Sequence, residues 1–233
     1  MGCFKIKNKI MLTVNAVIIS AICILNYFYQ RNGFDYLLKG LCSGSFALLG
    51  IINLSYALIA KQSNIKFYVG MFAGLLLAFL GDVLIDCGFI IAATSFAIGH
   101  ICFFKAYCFL QKFSMRDLIP SGILFLGTLI FLLFCPLLTF EVLFFKYVCM
   151  AYALIISLMV GKAISNLIKE QNALTINIVI ASILFFFSDL MLVFDWFIGI
   201  WNWTGHACMG TYYPALCLLG FAMYIKTTIK KRY

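Results

Sequence analysis

The 233-residue sequence predicts an all-α membrane protein of eight transmembrane helices, on three observations. The first is composition: 65% hydrophobic side chains, 11% charged and a mean hydropathy of +1.08. A soluble domain carries about 45–50% apolar and about 25% charged residues, so most of this chain faces lipid. The second is run length, because the apolar residues form continuous stretches of about 20, enough to cross a hydrocarbon core. Such runs are too long and unbroken for the alternating strands of a barrel, and lipid leaves unpaired backbone groups without partners, so the crossings are helices. The third is charge placement, since the basic residues fall mostly in the short spacers between runs.

The elements follow in order. Lys5, Lys7 and Lys9 precede Ile10–Tyr29 in the manner of a signal peptide, but no small-residue cleavage site closes the run, which is read as the first helix. Met1-Gly2-Cys3 opens like a myristoylation signal and fails at Ile6, where Ser or Thr is required. Leu37–Ala60, Phe67–Phe89 and Ile91–Leu110 supply the next three crossings, the last two joined by a tight turn around Gly88–Ala92. Leu118–Cys135, Phe140–Val160, Ile176–Phe197 and His206–Ile225 complete the eight. We read one polytopic domain over 1–233, with repeat halves at 1–114 and 115–233.

The net charge is +9, from 17 Lys+Arg against 8 Asp+Glu. In a soluble protein this would suggest nucleic acid, but here the positive-inside rule explains it and no nucleic-acid partner is expected. Lys5, Lys7, Lys9, Lys61, Lys66, Lys112, Arg116, Lys162, Lys169, Lys226, Lys230, Lys231 and Arg232 fall on one side, against Arg31 and Lys39 on the other. Lys105 and Lys146 lie near helix ends, where they can snorkel. Both termini are therefore expected in the cytoplasm. The ending Lys230-Lys231-Arg232-Tyr233 has the form of a dilysine retrieval signal, although the same charge bias accounts for it. Trp196, Trp201 and Trp203 read as an interfacial belt. The ten cysteines contain no C-x-x-C pair and read as packing residues.

Polar residues inside the runs carry the functional signal. Asp82, Asp86, Asp189 and Asp195 lie in or at the ends of apolar runs, where an isolated carboxylate costs several kcal/mol. Phe79-Leu80-Gly81-Asp82 matches Phe186-Phe187-Ser188-Asp189, and Gly99-His100-Ile101-Cys102 matches Gly205-His206-Ala207-Cys208. Tyr107 and Tyr213 each follow their histidine by seven positions, close to two helical turns, and these are the only two histidines. The matched segments lie four crossings apart, as in a parallel 4+4 repeat. A single such Asp can be a packing residue, and Gly70, Gly74 and Ala78 read as a close helix contact. Two Asp and two His on corresponding helices favour function, with Asp82 expected near Asp189 across an interface of the third and seventh helices. Asp86 and Asp195 lie nearer the helix ends.

At Gly81-Asp82, Gly99-His100, Ser188-Asp189 and Tyr212-Tyr213 the sequence resembles the YhhN family of eight-helix membrane proteins, whose characterised members are lysoplasmalogenases. It departs from that pattern at Phe103, where Tyr is frequent, and at Leu216, where Gln is expected. The resemblance implies hydrolysis of the vinyl-ether bond of a lysophospholipid by an Asp82 and Asp189 pair, one carboxyl as acid and the other ionised, as in glycosidases. It implies that His100 tunes or relays protons and that Tyr107 and Tyr213 orient water or the glycerol oxygen. Asp86, Ser188, Asp195, His206 and Tyr212 are the remaining candidate substrate contacts. No cofactor is implied, and the partners expected are the lysophospholipid and the surrounding lipids. A proton-coupled transporter and a metal-dependent lipid hydrolase remain open. The compartment expected is the endoplasmic reticulum in a eukaryote or the cytoplasmic membrane in a bacterium.

Overall fold

Polar flanks cap and lengthen the apolar runs into eight helices. The computed structural model describes residues 2–138, 140, 142–199 and 203–229, with side chains from Ile6 onward. Met1, Trp201, Lys230, Lys231, Arg232 and Tyr233 lie outside the described residues, as do the side chains of Cys3 and Lys5. The helices are α1 (Gly2–Arg31), α2 (Tyr36–Ile59), α3 (Ile65–Leu84), α4 (Phe89–Leu110), α5 (Leu118–Phe134), α6 (Leu143–Lys169), α7 (Ala173–Phe197) and α8 (Trp203–Thr228). All eight are long and apolar enough to span a membrane, and the described residues include no strand. The fold class is the one predicted.

Local chemistry sets the boundaries. The Asp35 carboxylate accepts from the Leu37 and Leu38 amides and starts α2, and Asn172 forms a capping box with Thr175 to start α7. The turn between α3 and α4 lies at Ile85–Gly88 rather than Gly88–Ala92: a single 3-10 turn, Ile85–Cys87, runs into Gly88 at φ +146°, a backbone that suits only glycine. Ala92 is already inside α4 and buried.

The largest departure is α6, which continues past Val160 to Lys169. Lys162 and Lys169 are not solvated spacer bases. Lys162 is fully buried and donates to Asp117 Oδ2 at 2.7 Å and to the Lys112 carbonyl at 3.2 Å. Lys169 donates to Asp117 Oδ1 at 2.5 Å, and the Ser165 hydroxyl bonds the same oxygen. Asp117 is thus a further buried acid, overlooked because it precedes the Leu118 run. Gly161 permits the arrangement, since a Cβ there would stand 2.5 Å from the Ser121 backbone nitrogen at the start of α5.

Successive helices pack in two series, α1 to α4 and α5 to α8, joined where α4 lies on α6 and where α8 lies on α1, α2 and part of α3. The contact along Gly70, Gly74 and Ala78 is the close α3–α4 packing expected: Gly70 abuts Ala106, and the Phe103 ring fills the space a Gly74 side chain would take. Two consequences matter for function. α3 and α7 share no packed face, because α8 runs between them. Beyond its own first turn α5 packs closely on α6 alone and reaches α7 only through side chains such as Phe131 against Phe194, leaving space between α4, α5 and α7.

Candidate functional site

Asp189, on α7, faces α4 and α6. His100 Nε2 lies 3.0 Å from Asp189 Oδ2 and 2.8 Å from the Tyr152 hydroxyl, and that hydroxyl donates to the same Oδ2 at 2.7 Å. His100 is fully buried, packed edge-on against Phe185 at 4.6 Å between ring centroids, and its Nδ1 has no partner. A neutral ring therefore carries its proton on Nε2, where acceptors exist.

Asp189 and Tyr152 line a groove between α4, α5, α6 and α7, about 670 Å³ when the open space at its mouth is counted with it. Its other walls are almost wholly apolar, among them Phe96, Leu132, Ala153 and Val193, with Thr128 as the further hydroxyl. Phe89 packs against Phe145, Trp196 and Phe197 at the end where α4 begins. Space remains because the backbones of α4 and α7 stay apart and only side chains, among them His100 with Asp189 and Phe89 with Phe197, bridge them.

Asp82 occupies a different setting. The Ser43 hydroxyl donates to its Oδ2 at 2.6 Å, and the Tyr213 hydroxyl lies 3.4 Å from Ser43 Oγ. The Tyr212 hydroxyl neighbours Asp82 and the Ala78 carbonyl, while Tyr29 packs edge-on against Tyr213. Asp82 is buried and does not line the groove. Tyr212, edge-on to both Phe96 and Phe185, forms the wall between the two carboxylates. The expected α3–α7 interface is corrected accordingly: α8 is interposed, and Asp82 and Asp189 stand on either side of its Tyr212, each with its own hydrogen-bond partners.

The remaining candidates divide by depth. Tyr107, two turns or about 10 Å along α4 from His100, pairs its hydroxyl with Ser182 Oγ at 3.0 Å, and its carbonyl accepts from Asn166. Ser188 is buried, 3.5 Å from Cys208 Sγ. Asp86 is exposed and pairs with Lys39 at 3.2 Å, Asp195 accepts from Thr204 at 2.8 Å, and exposed His206 lies 3.2 Å from Gln30 with its ring against Phe34. The structure thus brings His100 to Asp189 and brings Tyr212 and Tyr213 to the surroundings of Asp82. It leaves Tyr107, Asp86, Asp195 and His206 in separate places.

Tyr152 and Ser43 went unnoticed in the sequence because neither has a counterpart in the repeated segments. A tyrosine within an apolar run announces nothing by spacing. Among the described residues no three His, Cys, Asp or Glu side chains come together as a metal-binding group.

No curated protein and no solved structure matches the chain. The model of the YhhN family matches residues 42–223, which reach from α2 through most of α8. That span holds Ser43, Asp82, His100, Tyr152, Asp189, Tyr212 and Tyr213, the side chains of both carboxylate centres, and the chain belongs to the YhhN family.

Proposed function

We propose that this protein is a lysoplasmalogenase-type hydrolase, cleaving the vinyl-ether bond of a 1-alkenyl lysophospholipid to a fatty aldehyde and a glycerophospho-alcohol. The observation that carries the reading is the apolar groove with a hydrogen-bonded carboxylate, Asp189, in its wall. A single hydrocarbon chain suits such walls, and little else in the groove is polar. A proton-coupled transporter would need a carboxylate reached in turn from both faces. Behind Asp189 the fully buried His100 and Phe103 and the buried Phe185 fill the space.

The chemistry requires an acid and an anion. A proton adds to the carbon β to the ether oxygen, giving an oxocarbenium ion. Water captures the adjacent carbon and returns a proton, and the hemiacetal collapses to aldehyde and alcohol. Asp189 stabilises the cation and activates the water. The proton for carbon is Asp82's, handed on by the neighbouring Tyr212 hydroxyl, while Asp189 takes one from the attacking water, so one proton is given and one regained in each turnover. No cofactor enters. The same reading places both termini in the cytoplasm.

Detergent-purified protein is expected to release aldehyde from a 1-alkenyl lysophospholipid without added metal and to leave the 1-acyl analogue largely intact. An ester calls for a nucleophile and an oxyanion hole, not for protonation of carbon. Equal turnover of both lipids, or loss in EDTA restored by zinc, would overturn the reading.

A further inference from the structure

Tyr152 is a groove residue as well as a partner of Asp189, whereas His100 lies fully buried behind them. Both donate to Oδ2, and no described group donates to Oδ1. Oδ1 is also not among the buried atoms left without a partner, so it is the oxygen open to the groove. A hydroxyl donating to a carboxylate in apolar surroundings makes a short, charge-assisted bond. Its α6 neighbours Cys149, Ala153 and Ile156 line the same wall and offer no equivalent donor.

We infer that Tyr152 is a positioning residue for the hydrolysis, its hydroxyl tethering Asp189 Oδ2 so that Oδ1 is presented to the reacting carbon. The inference rests on the vinyl-ether reading for its catalytic half and on geometry alone for the tether. Without the hydroxyl, His100 is the sole group holding Oδ2, and the carboxylate can turn away from the groove.

Tyr152→Phe removes one oxygen and keeps the ring in the wall. Its kcat on a 1-alkenyl lysophospholipid is expected to fall about 100-fold with KM within about twofold, since misplacing a reacting group by about 1 Å costs on that order. Tyr147→Phe, exposed on the same helix, is expected to change neither. A second readout needs no turnover. Dicyclohexylcarbodiimide, an apolar reagent, adds a carboxyl O–H across its C=N bond to give an O-acylisourea, and mass spectrometry reads the modified residue. Freeing Asp189 from the tether is expected to speed its modification about tenfold.

Faster modification together with lower kcat at constant KM supports the inference. An unchanged modification rate overturns it, and so does faster modification with unchanged kcat. If the unaltered protein releases no aldehyde, the vinyl-ether reading and the catalytic half fail together, while the modification rate still decides the tether. Should Tyr152→Phe not fold, 3-fluorotyrosine at position 152 keeps the ring and donates more strongly. It is expected to slow the modification of Asp189, and no slowing overturns the tether.

Discussion

Asp82 and Asp189 stand in matching sequence segments, yet one lies in a filled chamber and the other opens onto a groove. Around Asp82, helices α2, α3 and α8 close together, and Tyr29, Ser43, Tyr212 and Tyr213 occupy the space. Around Asp189, the backbones of α4 and α7 stay apart and α5 packs closely on α6 alone, touching α7 through Phe131 and Phe194, so a groove stays open there. The histidines diverge in the same way: His100 bonds Asp189 in the interior, whereas His206 is exposed beside Gln30 and Phe34. A repeated motif therefore specifies where a carboxylate sits on its helix, and the neighbouring helices decide whether it meets a ligand.

The largest effect that would break this comparison is on turnover. Asp189→Asn keeps the shape and loses the charge, and aldehyde release is expected to fall about 10²–10⁴-fold with the protein still folded. Full activity would make the groove carboxylate structural. Asp82→Asn is expected to slow the reaction as well, and Tyr212→Phe should reproduce that defect if Asp82 acts through the Tyr212 hydroxyl. Tyr213→Phe, which loses only a distant contact with Ser43, should not.

Next comes stability. Asp117→Asn strands Lys162, fully buried with the carboxylate as its ion-pair partner, and should cost about 3–5 kcal/mol. Thermal unfolding should fall accordingly, with activity per folded molecule unchanged because the cluster lies apart from both carboxylate centres. A smaller effect is expected of Ala153→Phe, which fills the groove beside Tyr152. Overpacking costs about 1–3 kcal/mol, and the diagnostic change is a raised KM for long-chain substrate with less effect on a truncated one. The smallest is His206→Ala, expected to leave activity within about twofold despite its sequence match to His100, because the residue is an exposed helix-end group.

Much of the fold was legible because lipid imposes one rule on every crossing, and run length satisfies it. The eight runs, and Asp82, His100, Asp189, Tyr212 and Tyr213 as polar residues within them, were legible in local segments, but which of them meet was not: His100 bonds Asp189, and Tyr212 neighbours Asp82. Lys162 was not legible as a core residue. It looked like a spacer base until Gly161 allowed α5 to bring Asp117 against it. Tyr152 was hidden for a related reason: its role comes from facing α4 and α7 across the bundle, which no spacing within α6 records. The separation of Asp82 from Asp189 was equally non-local, being set by the passage of α8 between α3 and α7.

The central claim is that this site protonates carbon, and the label acquired by the product tests it most directly. Hydrolysis of a 1-alkenyl lysophospholipid by the purified protein in D2O should place one deuterium on the aldehyde carbon next to the carbonyl, with Asp189→Asn abolishing the labelled product. Aldehyde released without that deuterium, or the labelled aldehyde formed equally well by Asp189→Asn, would contradict the account.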